Sequence, residues 1–261
     1  MNIWVLILLC VVQGLTEFLP VSSSGHLLLV EQLFGVSENL MLLNLFLHIA
    51  TLLAVVIVYR KTIWLICKKP FQPLSFKLLI ATICSVFLAF AYKLSKIENV
   101  ITKIYPFGFL LTSILLLSCH LFQKRATAVS AGEISYKHSV LVGFVQGVAV
   151  VPGLSRSGST ISSLILTGHD ETKASEFSFL LSIPIIVGGF VLELLKIDKS
   201  SFIMQDFSVL SYIFAFLLTF VVSIIALKLT IKFLKKQKFI LFSVYTFLMF
   251  IFTFVLNFIV F

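Results

Sequence analysis

Long apolar runs separated by short polar segments make up most of this chain. A helix needs about 20 consecutive apolar residues to cross the hydrocarbon core of a bilayer. Five runs meet or approach that length. A sixth, at 78–92, is shorter but can be extended if Lys77 and Lys93 snorkel at its ends. The pattern predicts six transmembrane helices, at 40–59, 78–92, 104–122, 177–195, 207–227 and 239–261.

Two further apolar stretches are interrupted by polar residues and cannot cross the membrane alone. Polar segments at 13–26 and 152–160 each separate two short apolar pieces. Irregular backbone at membrane depth is tolerated only where protein buries it or where it lines a wet cavity. The pattern therefore predicts two re-entrant helix–loop–helix hairpins, at 3–30 and 140–166.

The composition excludes most other classes of protein. Of the 261 residues, 59% are hydrophobic and 12% are charged, and the mean hydropathy is +1.12. A soluble domain is typically about 25% charged, so this chain could not cover a water-facing surface. A soluble enzyme, a secreted disulfide scaffold and a disordered chain are excluded. The predicted fold class is an all-α polytopic membrane protein with a single membrane domain, 1–261.

The net charge of +9 reflects topology rather than nucleic-acid binding, because the basic residues lie in short clusters between apolar runs. If segment 40–59 runs inward, fourteen Lys and Arg residues fall on one side of the membrane and five on the other, with Arg156 inside the second hairpin. Cytoplasmic loops carry an excess of Lys and Arg. The count places both termini outside.

The two polar segments resemble each other. Gln13-Gly14 recurs as Gln146-Gly147, and a Ser-x-Ser-Gly motif follows in both at the same offset of 133 residues. Each hairpin is followed by three crossings, and an odd number inverts the second copy. We therefore predict an inverted-topology repeat with halves 1–122 and 138–261. Such repeats place a polar site near the bilayer midplane, in transporters as well as in other membrane proteins.

Ionisable residues inside a membrane protein are costly and usually functional. Glu17 and His26 lie in the first polar segment, and Arg156 lies in the second. Arg156 precedes an apolar half-helix and is surrounded by glycine and hydroxyl residues, a combination that suits a phosphate group. The candidate phosphate-binding residues are Ser22, Ser155, Arg156, Ser157, Gly158 and Thr160.

These residue types can hydrolyse a phosphoanhydride. Arg156 and a divalent cation held by Glu17 would neutralise the phosphate charge, and Gln13 can ligate the cation through its amide oxygen. The nucleophile is either a serine hydroxyl, with Ser23 preferred, or water. His26 would take the proton and return it to the leaving group.

The segments Gln-Gly-Leu-Thr-Glu-Phe-Leu-Pro-Val-Ser-Ser-Ser-Gly-His and Pro-Gly-Leu-Ser-Arg-Ser-Gly-Ser-Thr resemble the two signature regions of the bacterial undecaprenyl-diphosphatases, also called bacitracin resistance proteins. The resemblance covers the whole chain. It implies hydrolysis of undecaprenyl diphosphate to the monophosphate and phosphate, which recycles the lipid carrier for peptidoglycan. It also implies a requirement for Mg²⁺ or Ca²⁺ and catalysis at the outer face of the cytoplasmic membrane.

The resemblance extends to single residues. The family roles carry over to Glu17, Ser23, His26, Ser155, Arg156 and Thr160. Gln13 stands where many members have glutamate, which leaves Glu17 as the only acidic metal ligand of the motif.

A C55 isoprenoid cannot leave the bilayer, so its site must be reached sideways between helices. The predicted crossing at 177–195 contains several small residues or helix breakers, namely Ser182, Pro184, Gly188 and Gly189. These residues either kink or narrow this helix to let the lipid pass, or they reflect ordinary close packing of helices.

Two other functions remain open at this stage. A lipid-phosphate transporter would also have an inverted repeat. A second class of membrane phosphatase has a Pro-Ser-Gly-His signature like residues 23–26, but it requires a second histidine where Ser162 stands here.

The expected partners are a polyprenyl diphosphate lipid and the bilayer, and a homodimer is compatible with the sequence.

Overall fold

A computed structural model describes residues 2–36, 40–95, 103–128, 132–195 and 208–260 of the chain. Within these ranges the protein is helical, with eleven α-helices, one terminal π-helix and no strand, which confirms the all-α prediction. The helices are α1 Ile3–Thr16, α2 Ser23–Phe34, α3 Met41–Val58, α4 Arg60–Lys68, α5 Pro73–Leu94, α6 Tyr105–Ala128, α7 Tyr136–Val148, α8 Arg156–Leu166, α9 Glu171–Leu194, α10 Val209–Lys235 and α11 Phe239–Val255, followed by the π-helix Leu256–Val260.

Five helices in the described part of the chain, α5, α6, α9, α10 and α11, are long and apolar enough to cross a membrane. The remaining predicted crossing, at 40–59, corresponds to α3, whose 18 residues span about 27 Å. After Tyr59 the chain turns by 78° into α4, which buries no residue and exposes Trp64 and Leu65 beside basic side chains. Such a helix is typical of the membrane interface. The chain is therefore a multi-pass membrane protein.

The crossing predicted at 78–92 is longer than the sequence suggested. It begins at Pro73 in the first turn of α5, where a missing backbone N–H costs nothing. Lys77, in the second turn of α5, is 7% exposed, and its Nζ donates to Glu133 Oε2 at 3.0 Å. The Glu133 side chain is 84% exposed, so the ammonium is neutralised by a carboxylate at the surface.

Hydroxyl groups help to join several of the crossings. Many large apolar residues face outward, with Trp4 72% and Leu210 74% exposed, while others such as Phe177 and Phe239 are buried in the core. On the inside, Ser113 of α6 and Ser243 of α11 each donate an Oγ–H to the other's backbone carbonyl at 2.9 Å. Lipid tails are as apolar as leucine, so helices in a bilayer associate through close packing and hydrogen bonds of this kind.

The first helix of each half packs against a crossing of the other half in an equivalent way. Thr219 Oγ1 of α10 donates to the Cys10 carbonyl of α1 at 3.3 Å, and Ser85 Oγ of α5 donates to the Gly143 carbonyl of α7 at 2.9 Å. The two donors are 134 positions apart (219 − 85) and the two acceptors 133 (143 − 10). The halves are therefore interleaved, and separating them would break both contacts.

Both predicted hairpins are broken helices whose halves meet at a short link. Residues 17–22 join α1 to α2, and residues 149–155 join α7 to α8. Helix α6 holds the second link, because Thr112 Oγ1 accepts from Ser155 N at 2.9 Å and Gly108 lies directly against the link backbone. Gly153 in the link has a φ of +83°, which favours glycine.

We expect Gly108→Ala to destabilise the protein, because an added Cβ would lie 2.5 Å from backbone atoms of residues 152–154. Overpacking of this kind typically costs about 1–3 kcal/mol. Gly188→Ala is a matched control, since that helical glycine has nothing within 4 Å of an added Cβ and alanine is the better helix former by about 1 kcal/mol. Thermal unfolding in detergent should show a lower midpoint for Gly108→Ala and an unchanged or higher one for Gly188→Ala. Equal midpoints would contradict the contact.

Candidate active site

The two links meet at a cavity of about 440 Å³ inside the helical layer. Both halves of the chain contribute to its wall, and its apolar side is formed mainly by α9 and the second link. The cavity therefore brings together polar segments that lie more than 130 residues apart in the sequence. Its polar lining residues are Thr16, Glu17, Ser22, Ser23, Ser24, His48, Gln146, Ser155 and Arg156.

Glu17 is the centre of the polar network. One carboxylate oxygen, Oε1, accepts from Arg156 Nη2 of the other half, and the pair forms a salt bridge. The other, Oε2, accepts from Ser23 Oγ at 2.7 Å and from Gln13 Nε2 at 3.1 Å. Three donors thus replace the water that an exposed carboxylate would bind, and this is what makes the buried charge tolerable.

Arg156 is the first residue of α8. The first backbone N–H groups of a helix lack partners within the helix, and the N-terminal end carries a partial positive charge. Ser155 is the N-cap, and its Oγ accepts from Gly158 N at 3.0 Å. The guanidinium uses one donor on Glu17 and has no other hydrogen bond in the described part of the chain. Its remaining donors are available to an anion.

A second helix N-terminus points at the same cavity. Ser22 is the N-cap of α2, and its Oγ accepts from Gly25 N at 3.3 Å. Ser22 has a φ of +71°, an uncommon conformation for a residue with a side chain. Ser23 and Ser24 follow in the first turn and also line the cavity. The ends of α2 and α8 together make the cavity favourable for a negatively charged group.

Three of the predicted phosphate-binding residues do not line the cavity. Ser157 Oγ donates to the Leu19 carbonyl at 3.2 Å and so attaches α8 to the first link. Thr160 is fully buried against Ser178 of α9, with 2.6 Å between the two hydroxyl oxygens. Gly158 supplies the backbone N–H that Ser155 caps. In this structure all three position α8.

His26 also lies outside the cavity, and both of its ring nitrogens are engaged. Nδ1 donates to the Ser22 carbonyl at 2.6 Å, so Nε2 carries the lone pair and accepts from the Tyr245 hydroxyl at 2.7 Å. The ring stacks on Tyr245 and meets the edge of Phe109. Within the described residues His26 therefore has no hydrogen bond to Ser23 or Glu17, and its ring instead holds the turn at Ser22.

Four polar lining residues were not among the predicted site residues: Thr16, Ser24, His48 and Gln146. His48 Nδ1 donates to the Asn44 carbonyl at 2.8 Å, and this is the only hydrogen bond of the ring within the described residues. A histidine inside the apolar run 40–59 is itself a signal of function, and it could have been noticed there. Gln146 Nε2 donates to Ser85 Oγ at 3.2 Å. Its place in the repeated Gln-Gly pair was a weaker signal.

Glu17 and Gln13 are the residues that fit a divalent cation. Gln13 Oε1 is buried and has no hydrogen-bond partner in the described part of the chain, although its Nε2 reaches Glu17. Carboxylate and amide oxygens suit Mg²⁺ and Ca²⁺, and Mg²⁺ sites commonly combine one or two carboxylates with substrate phosphates. The described residues contain no group of three or more His, Cys, Asp and Glu side chains that could hold a metal alone. Any cation here would depend on oxygen atoms of the substrate.

Comparison with known proteins identifies the family. The family model for bacitracin resistance protein BacA matches residues 6–252. The chain is 38% identical over 256 residues to the undecaprenyl-diphosphatase of Thermosipho africanus, covering 95% of this chain and 98% of the relative. It is 35% identical to that of Alkaliphilus metalliredigens, covering 92% and 93%, and 32% identical to that of Carboxydothermus hydrogenoformans, covering 95% of both. With matches of this extent, the chain belongs to the bacitracin resistance protein BacA family.

Proposed function

We propose that this protein hydrolyses undecaprenyl diphosphate to undecaprenyl phosphate and inorganic phosphate. The reaction recycles the lipid carrier for peptidoglycan synthesis and confers resistance to bacitracin. The observation that carries the proposal is the meeting of Arg156 with Glu17 and Ser23 in one cavity inside a multi-pass membrane protein. The undecaprenyl-diphosphatase relatives support the identity of the substrate.

Arg156 binds the diphosphate in this mechanism. Its planar fork can contact two phosphate oxygens at once while one donor stays on Glu17. The N-terminal N–H groups of α8 and the hydroxyls of Ser22 and Ser155 complete the phosphate site. Positive charge placed before the reaction begins stabilises the charge that develops on the transferred phosphoryl group.

Ser23 is the residue placed to attack. Its Oγ donates to Glu17, so the carboxylate can take the proton as the oxygen bonds to the terminal phosphorus. The bond from that phosphorus to the bridging oxygen breaks, and undecaprenyl phosphate leaves with the electron pair. Water then hydrolyses the phosphoserine and releases phosphate. If water attacks directly, Glu17 receives the proton from water and Ser23 orients it.

His26 is a positioning residue in this mechanism, since it holds the Ser22 carbonyl and leaves Ser22 and Ser23 at the cavity. Glu17 and the free Oε1 of Gln13 would hold a divalent cation. When bound, the cation supplies Lewis-acid neutralisation of the diphosphate charge.

The two halves form an inverted repeat in the bacterial cytoplasmic membrane, with both termini and the cavity mouth on the outer side. The equivalent contacts of Thr219 with Cys10 and of Ser85 with Gly143 support the repeat. The excess of basic residues in one set of loops supports the orientation.

Purified protein in detergent with Mg²⁺ should release phosphate from undecaprenyl diphosphate, and Arg156→Lys should lower kcat/KM by about 100-fold or more because an ammonium cannot reproduce a bidentate fork. Arg60→Lys is the matched control, since Arg60 lies at the exposed start of α4 and its side chain hydrogen-bonds, among the described residues, only to the Ile57 carbonyl. Wild-type turnover by Arg156→Lys would remove the argument for a phosphate clamp. No phosphate release by folded wild-type protein would overturn the proposed function.

Glu17→Gln should reduce turnover by about 100-fold or more, because the amide cannot accept the nucleophile's proton. It should also lower thermal stability by leaving the partly buried Arg156 without its counter-charge, at a cost below the roughly 3–5 kcal/mol of a fully buried pair. The double variant Glu17→Gln/Arg156→Gln removes both charges and should unfold at a higher temperature than Glu17→Gln alone. A double variant whose loss equals the sum of the two single losses would show that the charges are not coupled.

Ser23→Ala should abolish most activity, while Ser24→Ala, which removes a neighbouring hydroxyl of the same turn that contacts only Ser22, should retain most of it. Acid quenching with substrate labelled at the terminal phosphate tests the nucleophile directly. A phosphoserine trapped in wild type and absent from Ser23→Ala supports attack by Ser23. Activity in Ser23→Ala close to that of wild type would rule it out and leave water as the nucleophile.

A further inference from the structure

Helix α9 forms the apolar wall of the cavity with one short stretch, through Ile185, Ile186, Gly189 and Phe190. The helix begins at Glu171, and Ser178 contacts Thr160 of α8, which does not line the cavity. Gly189 lies eleven residues beyond Ser178, about 16 Å further along the helix axis. In the orientation of the proposed function, with Glu171 on the cytoplasmic side, α9 lines the cavity with its later, outer part.

Gly189 is exposed and borders open space, because a Cβ added there would have no atom within 4 Å. The neighbouring side chains of Val187, Val191 and Leu192 are 42%, 46% and 55% exposed. This part of α9 therefore lines the cavity and also presents apolar side chains at the surface.

The substrate of the proposed function needs an opening of this kind. Its diphosphate has to reach Arg156 and Glu17, while its isoprenoid chain has to stay in the hydrocarbon. Leu45 of α3, Val150 and Leu154 supply further apolar lining, and Glu17 and Arg156 are among the polar lining residues. A cavity with both kinds of lining suits a lipid whose charged head is bound and whose tail leaves sideways.

We propose that the polyprenyl chain leaves the cavity past Gly189 into the outer leaflet, and that the absence of a side chain at this position allows a chain attached to the diphosphate to be accepted. The inference rests on the proposed function and specifies how that site takes its lipid. Glycine inside a helix costs about 1 kcal/mol relative to alanine, and at Gly189 no close contact with another helix accounts for that cost.

Gly189→Leu tests the opening, and Gly188→Leu is its matched control. Both replace a glycine that has nothing within 4 Å of an added Cβ, in adjacent positions of one helix, but only Gly189 lines the cavity. Adjacent helical residues point about 100° apart, so leucine at 188 is directed away from the opening. We expect Gly189→Leu to raise KM for undecaprenyl diphosphate about tenfold or more, and Gly188→Leu to change it less than about twofold.

Inorganic pyrophosphate distinguishes binding of the diphosphate head from binding of the isoprenoid tail, because it has no tail. As a competitive inhibitor without a tail, it should bind Gly189→Leu and wild type with the same inhibition constant. An equal loss for pyrophosphate and lipid would show that the substitution disturbs the phosphate site, and would overturn the proposal. An unchanged KM in Gly189→Leu would overturn it as well. Because wild type is assayed beside the variants, its inactivity would count against the proposed function instead.

Labelling after folding covers the case in which leucine prevents folding. Gly189→Cys and Gly188→Cys are purified as folded protein and then treated with alkyl methanethiosulfonates of increasing length. Activity on the lipid should fall with the length of the label at position 189 and stay constant at position 188. The control at 188 also accounts for labelling of the exposed native Cys67. Equal responses at the two positions would overturn the proposal.

Discussion

The contact between Glu17 and Arg156 is the interaction on which the rest of the structure depends. An isolated charge inside a membrane protein is expensive, whereas a pair with further hydrogen bonds can be tolerated. Each charge lies at a break in a helix, where backbone groups also need partners. Because the two residues come from different halves, neither broken helix can be completed alone. The ion pair therefore ties the formation of the cavity to the association of the halves.

The same contact leaves room for a second anion. Within the described residues Arg156 uses one donor on Glu17, so a phosphate can bind to its other donors while that contact stays in place. Glu17 meanwhile holds Ser23 by a short hydrogen bond, so the group that compensates the arginine in the absence of substrate also orients the candidate nucleophile. A cavity of about 440 Å³ lies in the range of small-ligand sites and has room for a diphosphate head, whereas a C55 tail requires the bilayer.

The sequence predicted the fold class and the two polar segments because both depend on local pattern: the length of an apolar run, and polar residues interrupting it. The sequence does not show which distant partner a polar side chain takes. Lys77 pairs with Glu133, 56 residues away, at an exposed carboxylate. The ring of His26, which the sequence predicted for proton transfer, is hydrogen-bonded to Tyr245, 219 residues away. His48 was overlooked because hydropathy treats its segment as a uniform apolar run.

Glycine illustrates the same limit at the level of packing. At Gly143 an added Cβ would lie 2.5 Å from the Ala81 carbonyl of α5, so there glycine permits two helices to touch. At Gly189 no atom lies within 4 Å of an added Cβ, so there glycine leaves space. The two residues are alike in the sequence, each in an apolar helix. Their effects are opposite because one faces protein and the other faces a cavity. In a membrane protein, where the apolar pattern does not separate core from surface, that distinction belongs to the tertiary structure alone.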